Sequence, residues 1–239
     1  MRNGRFCKWM LCAAAMASGV VCAQDRPSKS PVAELRLHIA SSQLGKHHAV
    51  PAVIWLEPLG GTPALSFLPH GHYTLLQKNR TFIPHLQVIP VGSVVQFPNA
   101  DPFFHNVFSL FNGKRFDLGL YEAGSSMSVT FPREGVSYIF CNIHPEMSAV
   151  VLALTTPLYS IADANDSVVL RNIPPGNYKL RVWIEGVSQS ILDGLARPVH
   201  LSSRTVDLGE LKAPIPRNRP LTHANKFGRA YDTDSKSTY

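Results

Sequence analysis

The chain has 239 residues, 45% of them hydrophobic and only 16% charged, enough apolar material for one large or two small packed domains. A mostly disordered or fibrous protein is excluded, and 19 Pro with 16 Gly spread along the chain favour many short strands over long helices. The formal net charge of +7 points to no nucleic-acid partner, because the basic residues cluster in the tail from Lys212 to Arg229, among Pro and Asn, where a solvated segment is the simpler reading.

Arg2, Arg5 and Lys8 precede an apolar, small-residue stretch from Trp9 to Cys22, and Val21-Cys22-Ala23 stands before Gln24. These are the parts of a secretory signal peptide over 1–23, which places the mature protein in a periplasm or outside the cell. The apolar run is short for a membrane anchor, and no later stretch is long enough, so no membrane span is expected. Cleavage takes the net charge from +7 to +4 by removing three cations, and removes Cys7, Cys12 and Cys22. Cys141 is then the one cysteine left. An exported chain with a single Cys forms no internal disulfide, so this thiol is a buried bystander, a nucleophile or a metal ligand.

Glu34 to Ile39 alternates apolar and polar residues as a half-buried strand does, and Ala52 to Leu56 is a second strand. Thr81 to Pro98 reads as two strands about a turn at Pro90-Val91-Gly92. Val107 to Leu110, Ser126 to Phe131, Val136 to Cys141 and Ser148 to Thr155 follow in the same character. Gly119 to Gly124 has room for a turn of helix, and no longer helix is expected. After Pro157, Ile161 to Asp166 runs as a strand into a turn, followed by Val168 to Leu170, Lys179 to Trp183, and one or two strands over Val199 to Leu211. The fold class is all-β, as an antiparallel sandwich or barrel with a second β unit.

The dense chemistry lies in Tyr138 to Met147. Cys141, His144 and Met147 fall at i, i+3 and i+6 in a loop between two strands, and His105 stands upstream in Phe103-Phe104-His105-Asn106-Val107. One thiolate, two imidazoles and a thioether are a soft, mixed donor set that selects copper. Structural zinc prefers more thiolates and rarely takes Met, and iron–sulfur clusters need more cysteines. A lone Cys is more often a small core hydrophobe, but the His and Met at matched offsets favour a metal. His47, His48, His70 and His72 make a second metal site conceivable, with solvated loops the plainer reading. No phosphate-binding loop, zinc-helix or nucleophile-elbow motif accompanies the cluster, so no enzymatic activity is expected.

The order His, then Cys-x-x-His-x-x-Met, resembles the cupredoxins, the amicyanin- and plastocyanin-like blue-copper family, over roughly Tyr73 to Thr155. His105-Asn106-Val107 also matches the way that family continues after its first ligand. The resemblance implies a Greek-key β-sandwich or barrel over 73–156 binding one type 1 copper ion. His105 and His144 would be the imidazole ligands, Cys141 the thiolate and Met147 the weak axial thioether. It further implies a bond from Asn99 near the sulfur, and an apolar docking patch of Pro102, Phe103, Phe104 and Pro145 around His144 for redox partner proteins. The amicyanin likeness carries an association with methylamine utilization. Ile161 to Leu170, with Asn172-Ile173-Pro174-Pro175-Gly176-Asn177-Tyr178, resembles the second half of a transthyretin-like, carboxypeptidase-regulatory-like sandwich whose first half is similar to Leu35 to Leu56. That implies a discontinuous unit over 33–60 and 157–213, with 214–239 a flexible tail. The functional expectation is outer-sphere electron transfer; the alternative is a copper-handling, copper-sensing or partner-binding protein.

Overall fold

The computed structural model describes residues 32–41, 50–60, 62, 71–110, 113–215 and 223–231. The expected signal peptide at 1–23 lies outside these residues, as do His47, His48 and His70. Among the described residues the chain is all-β apart from one short helix. Its strands are β1 (Ala33–Ser41), β2 (Ala52–Pro58), β3 (His72–Thr74), β4 (Leu76–Lys78), β5 (Thr81–Ile83), β6 (Leu86–Pro90), β7 (Val94–Pro98), β8 (His105–Ser109) and β9 (Phe116–Tyr121). They continue as β10 (Ser126–Thr130), β11 (Gly135–Phe140), β12 (Ser148–Leu154), β13 (Tyr159–Ile161), β14 (Ser167–Ile173) and β15 (Gly176–Ile184). Helix α1 (Gln189–Leu195) then precedes β16 (Arg197–Leu201) and β17 (Thr205–Ala213).

Strands from both ends of the chain share two sheets, ordered β14-β1-β17 and β13-β2-β15-β16. In β1, Ala33, Leu35, Leu37 and Ile39 are buried while Arg36 and His38 are exposed, the period of two that a one-sided strand requires. Tyr178, Leu180 and Val182 do the same in β15, and these residues meet in one apolar core. The central stretch builds two further sheets, β10-β7-β3 and β6-β12-β11-β8-β9, around a second core that holds Phe97, Val107, Phe131, Ile139, Cys141 and Met147.

Strand β12 joins the two cores. Ala149, Val151 and Ala153 point into the second, whereas Val150, Leu152 and Leu154 belong to the first. A strand buried on both faces reads as an unbroken apolar run, and Ala149 to Leu154 is such a run. Fully burying each of its large side chains contributes about 1.5–3 kcal/mol, so the seam between the two layers is a substantial part of the stability. Polar ties reinforce it. Trp183 Nε1–H donates to Tyr138 Oη at 3.3 Å, and His85 bridges the Ser148 carbonyl at 3.1 Å and Glu185 at 2.6 Å.

The structure differs from the sequence expectation at several points: β3 and β4 lie outside every expected strand, and β1–β17, β6–β12 and β3–β7 pair in parallel within an otherwise antiparallel arrangement. Thr81 to Pro98 holds three strands, β5 to β7. The segment around Gly119 is strand β9, not a helical turn. Gly119 sits at φ 71°, and its backbone irregularity accompanies a register shift between Asn106 and Phe108. A conformation glycine reaches without penalty thus keeps the segment in the sheet. A helix does form, at α1, outside any expected position; Leu192 is its one buried residue.

Candidate metal centre

The site is built where β8 begins and β11 ends. Before β8, Asn99 closes a turn: its Oδ1 accepts from the Asp101 N–H at 3.0 Å, and its Nδ2–H donates to the Phe103 carbonyl at 2.8 Å. That turn delivers His105 to the first position of β8, wholly buried. Both side-chain polar atoms of Asn99 are engaged within this turn, and the backbone N–H groups of Asn106, Ile143 and His144 pull the Cys141 thiol down. Asn106 is itself locked, its Nδ2–H groups donating to Asp117 Oδ1 at 2.7 Å and to the Gly119 carbonyl at 2.8 Å.

Cys141 follows β11 directly. The loop after it is closed by two backbone bonds, Met147 N–H to the His144 carbonyl at 3.0 Å and Cys141 N–H to the Met147 carbonyl at 3.3 Å. The i, i+3, i+6 spacing therefore returns Met147 to Cys141, and both are fully buried in the same apolar cluster. His144 is half-buried, on the solvent side of the loop.

Three donor atoms converge. Cys141 Sγ lies 3.7 Å from His105 Nδ1 and 3.6 Å from His144 Nδ1, and the two Nδ1 atoms are 3.1 Å apart. A circle through points so spaced has a radius of about 2.0 Å, so one position is equidistant from all three at the length of a bond from imidazole to a first-row metal ion. His105, Cys141 and His144 form the group of metal-ligating side chains among the described residues. Two imidazole nitrogens and one sulfur about a common centre, with a buried thioether in the same loop, suit copper.

The surroundings set protonation and orientation. Burial pushes the Cys141 thiol up, against the pull of the three N–H groups, so a metal entering here displaces a proton. Burial, together with repulsion from His105, holds His144 below the ordinary imidazole range and leaves its ring neutral at pH 7. Behind His105, Asp101 Oδ2 accepts from Nε2–H at 2.9 Å, which leaves Nδ1 free to face the centre. Asp101 also accepts the backbone N–H groups of Asn79 at 2.6 Å and Arg80 at 3.0 Å. Burial alone would raise its carboxyl, but these donors and His105 together hold it below its ordinary value.

Phe103 packs against both imidazoles, with ring centroids 5.3 Å from His105 and 5.6 Å from His144. Phe104, Pro102 and Pro145 are exposed nearby in sequence. His72, of the second histidine group, is exposed in β3. Two features escaped the sequence reading. One is Asp101, an unremarkable acid in a turn. The other is the segment 223–231, which lies on the ligand loop rather than trailing in solvent as a flexible tail over 214–239 would: Tyr231 Oη–H donates to the Cys141 carbonyl at 3.0 Å, and Lys226 N–H to Asn142 Oδ1 at 2.8 Å.

No family model and no curated protein matches the chain. Solved structures are similar to part of the chain. A purple cupredoxin from Nitrosopumilus maritimus is 26% identical, matching 34% of this chain and 99% of its own, with a TM-score of 0.31. A copper-containing nitrite reductase (NirK) from Thermus scotoductus SA-01 is 27% identical over 43% of this chain and 26% of its own, with a TM-score of 0.34. A reduced tryptophan-to-tyrosine mutant of amicyanin is 20% identical over 35% of this chain and 83% of its own, with a TM-score of 0.33. These likenesses are partial, and the chemistry of the site rests on its own donor atoms.

Proposed function

We propose that the protein is an exported blue-copper electron carrier that holds one type 1 copper ion through His105, Cys141, His144 and Met147 and exchanges electrons with redox partner proteins. The observation that carries this reading is the triangle of two Nδ1 atoms and one Sγ whose common centre lies about 2.0 Å from each. Copper, when bound, supplies a one-electron couple. The chain supplies the rest. Three of the four proposed ligands are fully buried, which restricts the access of water and substrate to the site and favours a carrier over an enzyme. Asp101 fixes the face that His105 presents, and the loop bonds fix Cys141 relative to Met147. Half-buried His144 is the ligand nearest solvent and the natural point of electron entry and exit.

An absorption spectrum of the mature protein after one equivalent of Cu(II), beside the Cys141→Ser variant, tests this. The expected result is a strong thiolate-to-copper band near ~600 nm that the variant lacks. Copper bound without that band would overturn the carrier and leave a copper-handling or sensing protein.

A further inference from the structure

We infer that the C-terminal segment 223–231 is part of the metal centre, a strap whose His223 and Tyr231 are positioning residues for the Cys141–Met147 loop; this rests on the copper reading above. The segment crosses the outside of the ligand loop. Tyr231 Oη–H donates to the carbonyl of Cys141 itself. His223 Nε2 lies 3.1 Å from the carbonyl of Pro145, the residue after His144, with Nδ1 2.9 Å from the Ala224 carbonyl, and its ring stacks on Phe140, the residue before Cys141, at 3.9 Å and 22°. Lys226 holds Asn142 through its backbone N–H. Phe140, Cys141, Asn142 and Pro145 are thus each gripped by the strap, on both sides of the thiolate ligand.

The same segment reaches the other ligand strand. Lys226 Nζ pairs with Asp117 Oδ2 at 2.8 Å, and the other oxygen of Asp117 holds Asn106, the neighbour of His105. The strap is also shaped for the task. Asn225 Oδ1 accepts from the N–H groups of Phe227 and Arg229, both at 3.0 Å, a turn that sets His223 and Tyr231 side by side with their polar atoms 3.2 Å apart. A tail that merely covered apolar surface would not place its polar atoms on the carbonyls of a ligand and of a ligand's neighbour. The strap restrains the loop against the movement that copper release requires, and it sets the electrostatic surroundings of the Cys141 carbonyl.

The test uses the full chain as wild type, Tyr231→Phe, and Tyr231→Phe with His223→Leu, each loaded with one equivalent of Cu(II). Two readings are taken: the position and intensity of the thiolate-to-copper band, and the rate of copper transfer to excess EDTA. The band should shift in both variants. Transfer should quicken about fivefold for the loss of one hydrogen bond and by more than about tenfold in the double variant. Melting of the copper-free variants should stay near wild type, because the strap lies outside both cores. Should the double variant fail to fold, Tyr231→Phe alone decides. Unchanged bands and unchanged transfer rates, with a wild-type band present, overturn the strap while sparing the copper reading. A wild type without the band overturns both.

Discussion

Replacing Asp101 with Asn keeps the size of the side chain and removes the charge on which three N–H groups converge. The carboxylate is 5% exposed and accepts from Asn79 N–H at 2.6 Å, Arg80 N–H at 3.0 Å and His105 Nε2–H at 2.9 Å. An amide offers one oxygen to these donors and turns its NH₂ towards the rest, so at least one charge-assisted bond is lost. Such bonds contribute about 1.5–3 kcal/mol each, and the copper-free variant should be destabilised by that order. A carboxylate behind a ligating imidazole also sets its tautomer, and its loss typically costs about 10–100-fold in metal affinity. Urea unfolding of the copper-free protein and chelator competition of the loaded protein measure the two effects. An Asp101→Asn variant with the wild-type midpoint and wild-type affinity would refute the claim that Asp101 orients His105.

Leu152 is 1% exposed in the core shared by the two layers, so Leu152→Ala should destabilise the copper-free protein by about 2–5 kcal/mol in urea unfolding; a change below about 1 kcal/mol would mean that the seam is loosely packed. Its hydrogen bond to Glu185 holds His85 above the ordinary imidazole value of about 6.5, against the opposing effect of burial. A raised folded value means that this stabilisation is fully present below about pH 6.5 and fades as pH rises through the folded value. The gap in melting temperature between wild type and His85→Gln should therefore be wide at pH 5.5 and narrow at pH 8.5, and a gap that widened with pH would reverse the assignment. Gly119, at φ 71° with open space where a Cβ would sit, should lose about 1–2 kcal/mol on change to Ala through backbone conformation alone, again read by urea unfolding.

The loop was legible because Cys141, His144 and Met147 are neighbours in sequence, and backbone bonds from Met147 to His144 and from Cys141 to Met147 close it. The double-faced strand β12 was legible as an apolar run, and the one-sided strand β1 as an alternation. Asp101 was not, because a carboxylate four residues before a histidine is common on surfaces and only the turn held by Asn99 aims it at Nε2. Nor was the strap. Its grip uses carbonyls and a side chain of residues 78 to 90 positions away and a polar composition that also suits a solvated tail. Strand β9 was misread for a related reason: a glycine at positive φ looks like a turn until its partner strand is known.

The most direct test of the copper reading is X-ray absorption at the copper edge on the full chain loaded with one equivalent. The donor triangle predicts two nitrogen neighbours at about 2.0 Å and a single short sulfur, lost in Cys141→Ser. A shell of nitrogen and oxygen alone, unchanged by that substitution, would show that copper binds elsewhere and would contradict the assignment of His105, Cys141 and His144 as its ligands.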